Sequence, residues 1–188
     1  GDLPEAADNV IRIGASRYAS HLTFGRIANA DVASDTRIAS FRAASWDDTD
    51  ATPDRLDVAA LQNLSIAGNL DADVTADAIG RATIDGAVRG EMAVANDLGQ
   101  LIAGAAVLSS VNVGGNVQYL AIRNGGAGLA GNLTVDGNLA NASINGPVTG
   151  DIDVGGAATY LRIHGVEDAD LGGDLSVAER LGYLNVAG

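Results

Sequence analysis

The chain contains no cysteine and no lysine, and its only aromatic residues are one Trp, four Tyr and two Phe. Without cysteine it can form neither disulfide bonds nor thiolate metal sites. Aromatic residues make up 4% of the sequence, although 47% of it is hydrophobic. The core must therefore be built from Ile, Val, Leu and Ala, which suits a narrow interior.

Positive charge is also scarce. The 11 basic residues, all of them Arg, face 24 acidic residues, which leaves a formal net charge of -13. This charge argues against nucleic acid or an anionic membrane surface as the partner, because both are negatively charged. The sequence also lacks an apolar run long enough to insert into a membrane. Calcium, other cations or a basic protein remain compatible with the charge.

A short motif recurs throughout the chain: an apolar residue, any residue, a second apolar residue, any residue, and Gly. It occurs three times in residues 131–156, which read GNLTVDGNLANASINGPVTGDIDVGG. Alternation with period two indicates a strand with one buried face, and a following Gly indicates a bend.

The second apolar residue of the motif can be used as an anchor, and two interleaved series of anchors then cover the chain. The first series is Ile13, Val32, Val58, Val74, Val94, Val113, Val135, Val154 and Val177. The second is Phe24, Ala43, Ile66, Ile84, Ile102, Ile122, Ile144, Ile163 and Val186. Strands this short bury their apolar faces only when coils stack and pair in parallel. The sequence therefore predicts an all-β fold, a right-handed parallel β-solenoid (β-helix) of about nine coils of roughly 20 residues, each with two strands.

A single domain over residues 1–188 is expected, with a loop insertion near residues 46–55. Glycine stands two places after most anchors of the second series, at Gly68, Gly86, Gly104, Gly146, Gly165 and Gly188, with Asn124 as the exception. Because Asn tolerates left-handed backbone geometry better than most residues, this column predicts a bend with positive φ.

The segments RIASFRAASWDD, LQNLSIAGNLDADV and AIGRATIDGAVRG resemble the glycine-rich β-solenoid repeat arrays of very large secreted and cell-surface proteins, notably those of planctomycete-type bacteria. At a coarser level the chain is similar to autotransporter passenger domains and filamentous adhesins. The resemblance implies an extracellular or cell-surface location and an architectural role. It carries over no active site.

Acidic residues flank the first-series anchors and are expected to point outward. Carboxylates are ligands that calcium prefers, so two i, i+2 pairs and the acidic insertion are candidate calcium sites. Their members are Asp71 and Asp73, Asp151 and Asp153, and Asp47, Asp48, Asp50 and Asp54 beside Trp46. The alternatives are that solvated Asp residues keep the strands soluble, and that the insertion only connects two coils.

Outward positions of the second series carry basic and aromatic residues and form a candidate interaction face. Its members are Tyr119, Arg123, Tyr160, Arg162, His164 and Tyr183. The tyrosines occupy equivalent places and could stack sugar rings or a neighbouring protein surface. The alternative is that they lie flat over their own strands.

An enzyme is not expected. The polysaccharide-cleaving β-helix enzymes need a groove with converging acids or bases, whereas His21 and His164 are about seven coils apart. We expect a structural segment of an extracellular filament, surface layer or matrix such as that of a biofilm. Head-to-tail stacking is expected, either between copies or within a longer chain, because neither end carries a convincing cap. The anionic and arginine/tyrosine faces could add lateral bundling. The alternatives are an adhesin-type stalk that binds glycans or calcium and, less favoured, a polysaccharide-active enzyme.

Overall fold

The computed structural model describes residues 9–14, 18–50, 52–123, 126–164 and 171–187. In these ranges every regular element is a β-strand, and all the pairings are parallel. The chain alternates between two nine-stranded sheets, so each turn adds one strand to each. The fold is a parallel β-solenoid of about nine coils, as the sequence predicts. We number the coils 1 to 9, each beginning with a strand of the first sheet.

The strands of the first sheet are β1 (Asn9–Ile13), β4 (Ala30–Ser34), β7 (Arg55–Val58), β9 (Asp73–Ala76), β11 (Met92–Val94), β13 (Val111–Val113), β15 (Leu133–Val135), β17 (Ile152–Val154) and β19 (Leu175–Val177). Those of the second are β2 (Ser20–Thr23), β5 (Ile38–Ala43), β8 (Leu61–Ile66), β10 (Ile79–Ile84), β12 (Leu98–Ala103), β14 (Val117–Ile122), β16 (Leu139–Asn145), β18 (Ala158–His164) and β20 (Leu181–Ala187).

The coils have a third side, which the sequence reading missed. It begins with β3 (Arg26–Ala28) and β6 (Ser45–Asp47), which pair in parallel. Single bridging residues then continue the column through Trp46, Leu70, Val88, Val107, Leu129, Val148 and Leu171. The cross-section is therefore three-sided. The available signal was an isolated apolar residue four places after an anchor, as in Leu70 after Ile66.

The core consists of columns of like residues, because parallel pairing in register places equivalent positions of successive coils above one another. Ile122, Ile144 and Ile163 pair in this way on the second sheet, and all three are buried. Burying one such side chain stabilises the fold by about 1.5–3 kcal/mol.

Three predicted anchors are out of register. Ile102 lies opposite Thr83 on the outward side, and Ala103 takes the inward place below Ile122. The inward residues Leu98 and Leu101 set the register of β12, and a one-residue offset moves a side chain to the other face. Val32 and Val74 do face inward, but each is two residues away from the anchor row.

The glycine column needs a different explanation from the one predicted. Of its members, Gly146 has a positive φ of 128°, as expected. Gly68, Gly86 and Gly104 do not, and a Cβ at Gly86 would lie 2.6 Å from the carbonyl oxygen of Gly68 one coil earlier. At Gly68, Gly86 and Gly104 a side chain is excluded because the backbones of successive coils stack closely, and not because φ is positive. Asn124, Gly165 and Gly188 lie outside the described residues.

Candidate functional site

The outer surface of the first sheet is strongly acidic. In and directly beside its described strands lie two basic residues, Arg12 and Arg55, and none from Val74 onward. The acidic residues there are Asp31, Asp35, Asp57, Asp73, Asp77, Glu91, Asp136, Asp151, Asp153 and Asp174. We call this surface the acidic face.

A shallow groove of about 530 Å³ runs along the acidic face. Its floor is made of short side chains, including those of Ala33, Thr75 and Ala93. The carboxylates of Asp35, Asp57, Asp77 and Asp136 line it, and no basic residue does.

Several carboxylates of this face support the stacking of coils. An oxygen of Asp73 accepts the N–H of Glu91 at 2.7 Å, and an oxygen of Asp151 accepts that of Asp174 at 2.9 Å. In each case the donor belongs to the next coil. Asp73 and Asp151 therefore satisfy backbone groups where a strand begins.

The two members of each candidate calcium pair have different surroundings. Asp71 lies on the third side, where a carboxylate oxygen is 3.5 Å from Arg89 Nη1, whereas Asp73 belongs to β9. Asp153 is exposed on the outer side of β17. Within the described ranges no group of three or more metal-ligating side chains is assembled. Calcium binding stays a prediction.

Trp46 is a core residue and not part of the acidic insertion. It lies in β6, fully buried, and its ring stacks on Phe41 with centroids 5.5 Å apart. Its Nε1 donates to a carboxylate oxygen of Asp54, also buried, at 2.8 Å. This hydrogen bond attaches the insertion to the core.

The other acidic candidates near the insertion also have partners: that of Asp47, in β6, belongs to the preceding coil, and those of Asp48 and Asp50 are local. Asp47 accepts from Arg26 Nε at 2.7 Å. Asp48 accepts the N–H of Asp50 at 3.1 Å, and Asp50 that of Thr52 at 2.8 Å. These are turn contacts typical of Asp, so the insertion has the features of a connecting loop.

Two carboxyls on the third side have shifted pKa values. The hydrogen bond from Arg26 holds the pKa of Asp47 below its usual value, and Ser45 acts in the same direction. Burial raises the pKa of Asp71, although Arg89 opposes the shift. Burial thus disfavours the ionised form of Asp71, and its arginine partner offsets this effect in part.

The predicted tyrosine row exists. Tyr119 lies opposite Asn141, Asn141 opposite Tyr160, and Tyr160 opposite Tyr183. The rings of Tyr160 and Tyr183 stack with centroids 4.7 Å apart and planes 3° from parallel. Because this separation equals the strand spacing, the two rings project from the sheet and cover each other's faces. These two rings do not lie flat over their strands, and the stacking of sugar rings or a neighbouring protein surface on the tyrosine row stays a prediction.

The remaining predicted face residues surround this row. Arg123 and Arg162 are exposed, and no carboxylate among the described residues lies within ion-pair distance of either. His164 Nε2 is 3.4 Å from Ser143 Oγ. We use the name basic face for the outer surface of the second sheet, with His21, Arg42, Arg81, Tyr119, Arg123, Tyr160, Arg162, His164 and Tyr183; an exposed carboxylate, that of Asp85, lies in the same column as Arg123.

A second groove, of about 770 Å³, crosses the first coils of the basic face. It contains two arginines and one histidine but no acidic residue; its polar lining is His21, Thr23, Ser40, Arg42, Gln62, Asn63, Ser65, Arg81 and Thr83. The sequence reading did not place these residues together, because their proximity depends on the pairing of four coils.

A hydrogen-bond ladder at the corner before the second sheet was also missed. Asp97 Oδ1 accepts both the backbone and side-chain N–H groups of Asn116, at 2.8 and 3.0 Å. Asn116 Oδ1 accepts the same two groups of Asn138, at 2.9 and 3.0 Å. These bonds lower the pKa of Asp97. The signal was an Asp or Asn directly before successive strands of the second sheet.

The last described coil leaves its inward residues exposed. Leu181, Leu184 and Val186 of β20 are 39%, 40% and 44% exposed. Their partners in β18, Ala158, Leu161 and Ile163, are 1%, 0% and 0% exposed. Among the described residues β20 pairs only with β18, so it presents both apolar side chains and a free backbone edge.

These features define a parallel β-solenoid repeat protein with oppositely charged outer faces. No family model, curated protein or solved structure matches the chain. The described residues include no helix with the length and apolarity needed to cross a membrane. The resemblance to repeat arrays of secreted and cell-surface proteins stays a prediction.

Proposed function

We propose that the chain is a structural, non-catalytic solenoid segment of an extracellular or cell-surface filament, matrix or surface layer, in which the stack of coils continues end to end through a second copy or through further coils of a longer chain. The observation that carries this proposal is the exposed last coil. A β-edge with unsatisfied backbone groups and apolar side chains favours pairing with another strand.

The first coil offers a matching surface. Ile11 and Ile13 of β1 and Leu22 of β2 pack against the core but are only partly buried. They occupy the positions in coil 1 that Leu175, Val177 and Leu184 occupy in coil 9. A second copy placed in register on β19 and β20 would continue both sheets with the same parallel pairing.

A structural role agrees with the regularity of the described coils. Catalysis requires converging acids, bases or metal ligands, and the basic residues of the second sheet are instead spread along the axis. His21 lies in coil 1 and His164 in coil 8. Among the acidic candidates, Asp54, Asp73 and Asp151 accept hydrogen bonds that hold coils and the insertion together.

Axial stacking is tested with the 188-residue chain by sedimentation velocity and cryo-EM. We expect fibres with a repeat near 4.8 Å along the axis and about 43 Å per copy, which corresponds to nine strand spacings. Leu184→Arg places a charge on the exposed end and should yield single particles. Asn185→Arg, on the outward side of the same strand, is the control and should leave the fibres intact.

Circular dichroism of both variants checks that the solenoid still folds. A wild-type chain that remains monomeric at high concentration would contradict the proposal. Loss of fibres in the Asn185→Arg control, to the same extent as in Leu184→Arg, would also contradict it, because the inward side of β20 would then have no special role.

A further inference from the structure

We propose that copies of this chain also pair side by side, with the acidic groove of one copy receiving the basic face of a second copy. This contact is separate from the axial one, since it uses the outer surfaces of the sheets and none of the exposed residues of coil 9. Its partner is therefore another molecule of the same chain in a different relative position.

The charge distribution is the first reason. The groove of the acidic face is lined by four carboxylates and no base, and that of the basic face by Arg42, Arg81 and His21 and no acid. A surface that only needs to be soluble can intersperse both signs. Here each of the two grooves carries one sign, although Arg55 interrupts the acidic face and Asp85 the basic face, and this makes the grooves of different copies electrostatically complementary.

The second reason is that the charged groups have the same axial spacing. Arg42 lies in coil 2 and Arg81 in coil 4, and Asp35 and Asp77 lie beside the first-sheet strands of the same coils. Each pair is therefore separated by two coils, about 10 Å at the usual strand spacing. Arg42 and Arg81 lie in outward columns two residues apart along the strand, and their long side chains have to span this offset for two parallel solenoids to bring Arg42 to Asp35 and Arg81 to Asp77.

Side-chain length also favours the contact. The acidic groove is lined by short side chains such as those of Ala33, Thr75 and Ala93, so the long side chains of Arg42 and Arg81, which border the groove of the basic face, can reach into it. Neither Arg42 nor Arg81 has a carboxylate within ion-pair distance in the described parts of the chain. Their guanidinium groups are available for bidentate contacts with carboxylates of a neighbour.

Pairing of this kind does not close on itself. Each copy carries both faces, so a bound neighbour leaves one face of each kind free, and lateral association continues. Individual exposed ion pairs are weak, but copies aligned in a fibre would make many of them together. The expected product is a bundle or layer that separates at high salt, because the screening length falls from about 10 Å at 0.1 M to about 3 Å at 1 M.

The test is a charge exchange between two variants of the 188-residue chain. One carries Arg42→Glu and Arg81→Glu, and the other carries Asp35→Arg and Asp77→Arg. Each variant alone presents like charges across the contact and should lose lateral association by at least about tenfold at 50 mM salt, measured by sedimentation. An equimolar mixture should restore it, because each mutated face then meets an opposite charge. Arg89→Glu, on the third side, is the matched control: it places a second carboxylate beside Asp71 but should leave lateral association at the wild-type level.

Fibre length and bundle thickness in cryo-EM images separate this contact from the axial one. Failure of axial stacking shortens fibres, whereas failure of lateral pairing thins bundles or removes side-by-side dimers. Absence of rescue in the mixture would overturn the proposal. An equal loss of lateral association in Arg89→Glu would also overturn it. Binding of a sulfated oligosaccharide at Arg42 and Arg81, with no pairing of copies at low or high salt, would overturn it as well.

Discussion

Replacement of Ile122 by Ala tests the inward and outward assignment in the middle of the stack. Ile122 is 1% exposed and lies between Ala103 and Ile144 in the inward row of the second sheet. The neighbouring coils are fixed by continuous parallel pairing, so they can close only part of the space that the missing atoms leave.

The expected cost follows from the atoms removed. Three buried carbons at about 0.8 kcal/mol each contribute roughly 2.4 kcal/mol of lost transfer free energy. A residual cavity of roughly 40 Å³ adds about 1 kcal/mol at 24 cal/mol per Å³. Ile122→Ala should therefore destabilise the central coils by about 3 kcal/mol, whereas the outward Arg123→Ala should change stability by less than about 0.5 kcal/mol.

Urea denaturation followed by circular dichroism gives the overall change. Hydrogen exchange of the amides of coil 6 gives the local change, because a solenoid can open locally. Local protection should fall roughly a hundredfold in Ile122→Ala. Equal effects of the two Ala substitutions would refute the assignment. Ser65→Arg provides a second check: Ser65 is exposed and lies in the outward row of Arg42 and Arg162, so the change should be tolerated.

Three further outcomes are expected. Gly90→Ala should destabilise strongly, because its Cβ would collide with the backbone of the preceding coil, whereas Gly25→Ala, with open space around it, should be neutral or slightly stabilising in thermal denaturation. Hydrogen bonds from Asn116 lower the pKa of Asp97 in the folded state. The ionised carboxylate therefore stabilises the fold at pH values above the pKa of the unfolded state, and this contribution is lost as the pH falls through the pKa of the folded state. Asn116→Ala should raise the pKa of Asp97 in an NMR titration. Millimolar calcium should leave Trp46 fluorescence unchanged, and a saturable change would restore the insertion as a calcium site.

Several properties could be read from the sequence because they repeat. Alternation with period two identifies strands and their buried faces locally, and recurrence at roughly 20 residues indicates that the strands stack. The row containing Tyr119, Tyr160 and Tyr183 followed from the same periodicity, as did the acidic face. These conclusions need only the position of a residue within its own coil.

The tertiary structure decided what depends on contacts between coils. Ile102 fits the motif, but Leu98 and Leu101 align with the preceding strand and place it outward. Gly86 follows an anchor like Gly146, yet only Gly146 has a positive φ, since the conformation of each corner depends on the coil below it. The third side has too few residues per coil to show alternation. The basic groove brings together residues from four coils, and only parallel pairing at a defined register makes them neighbours.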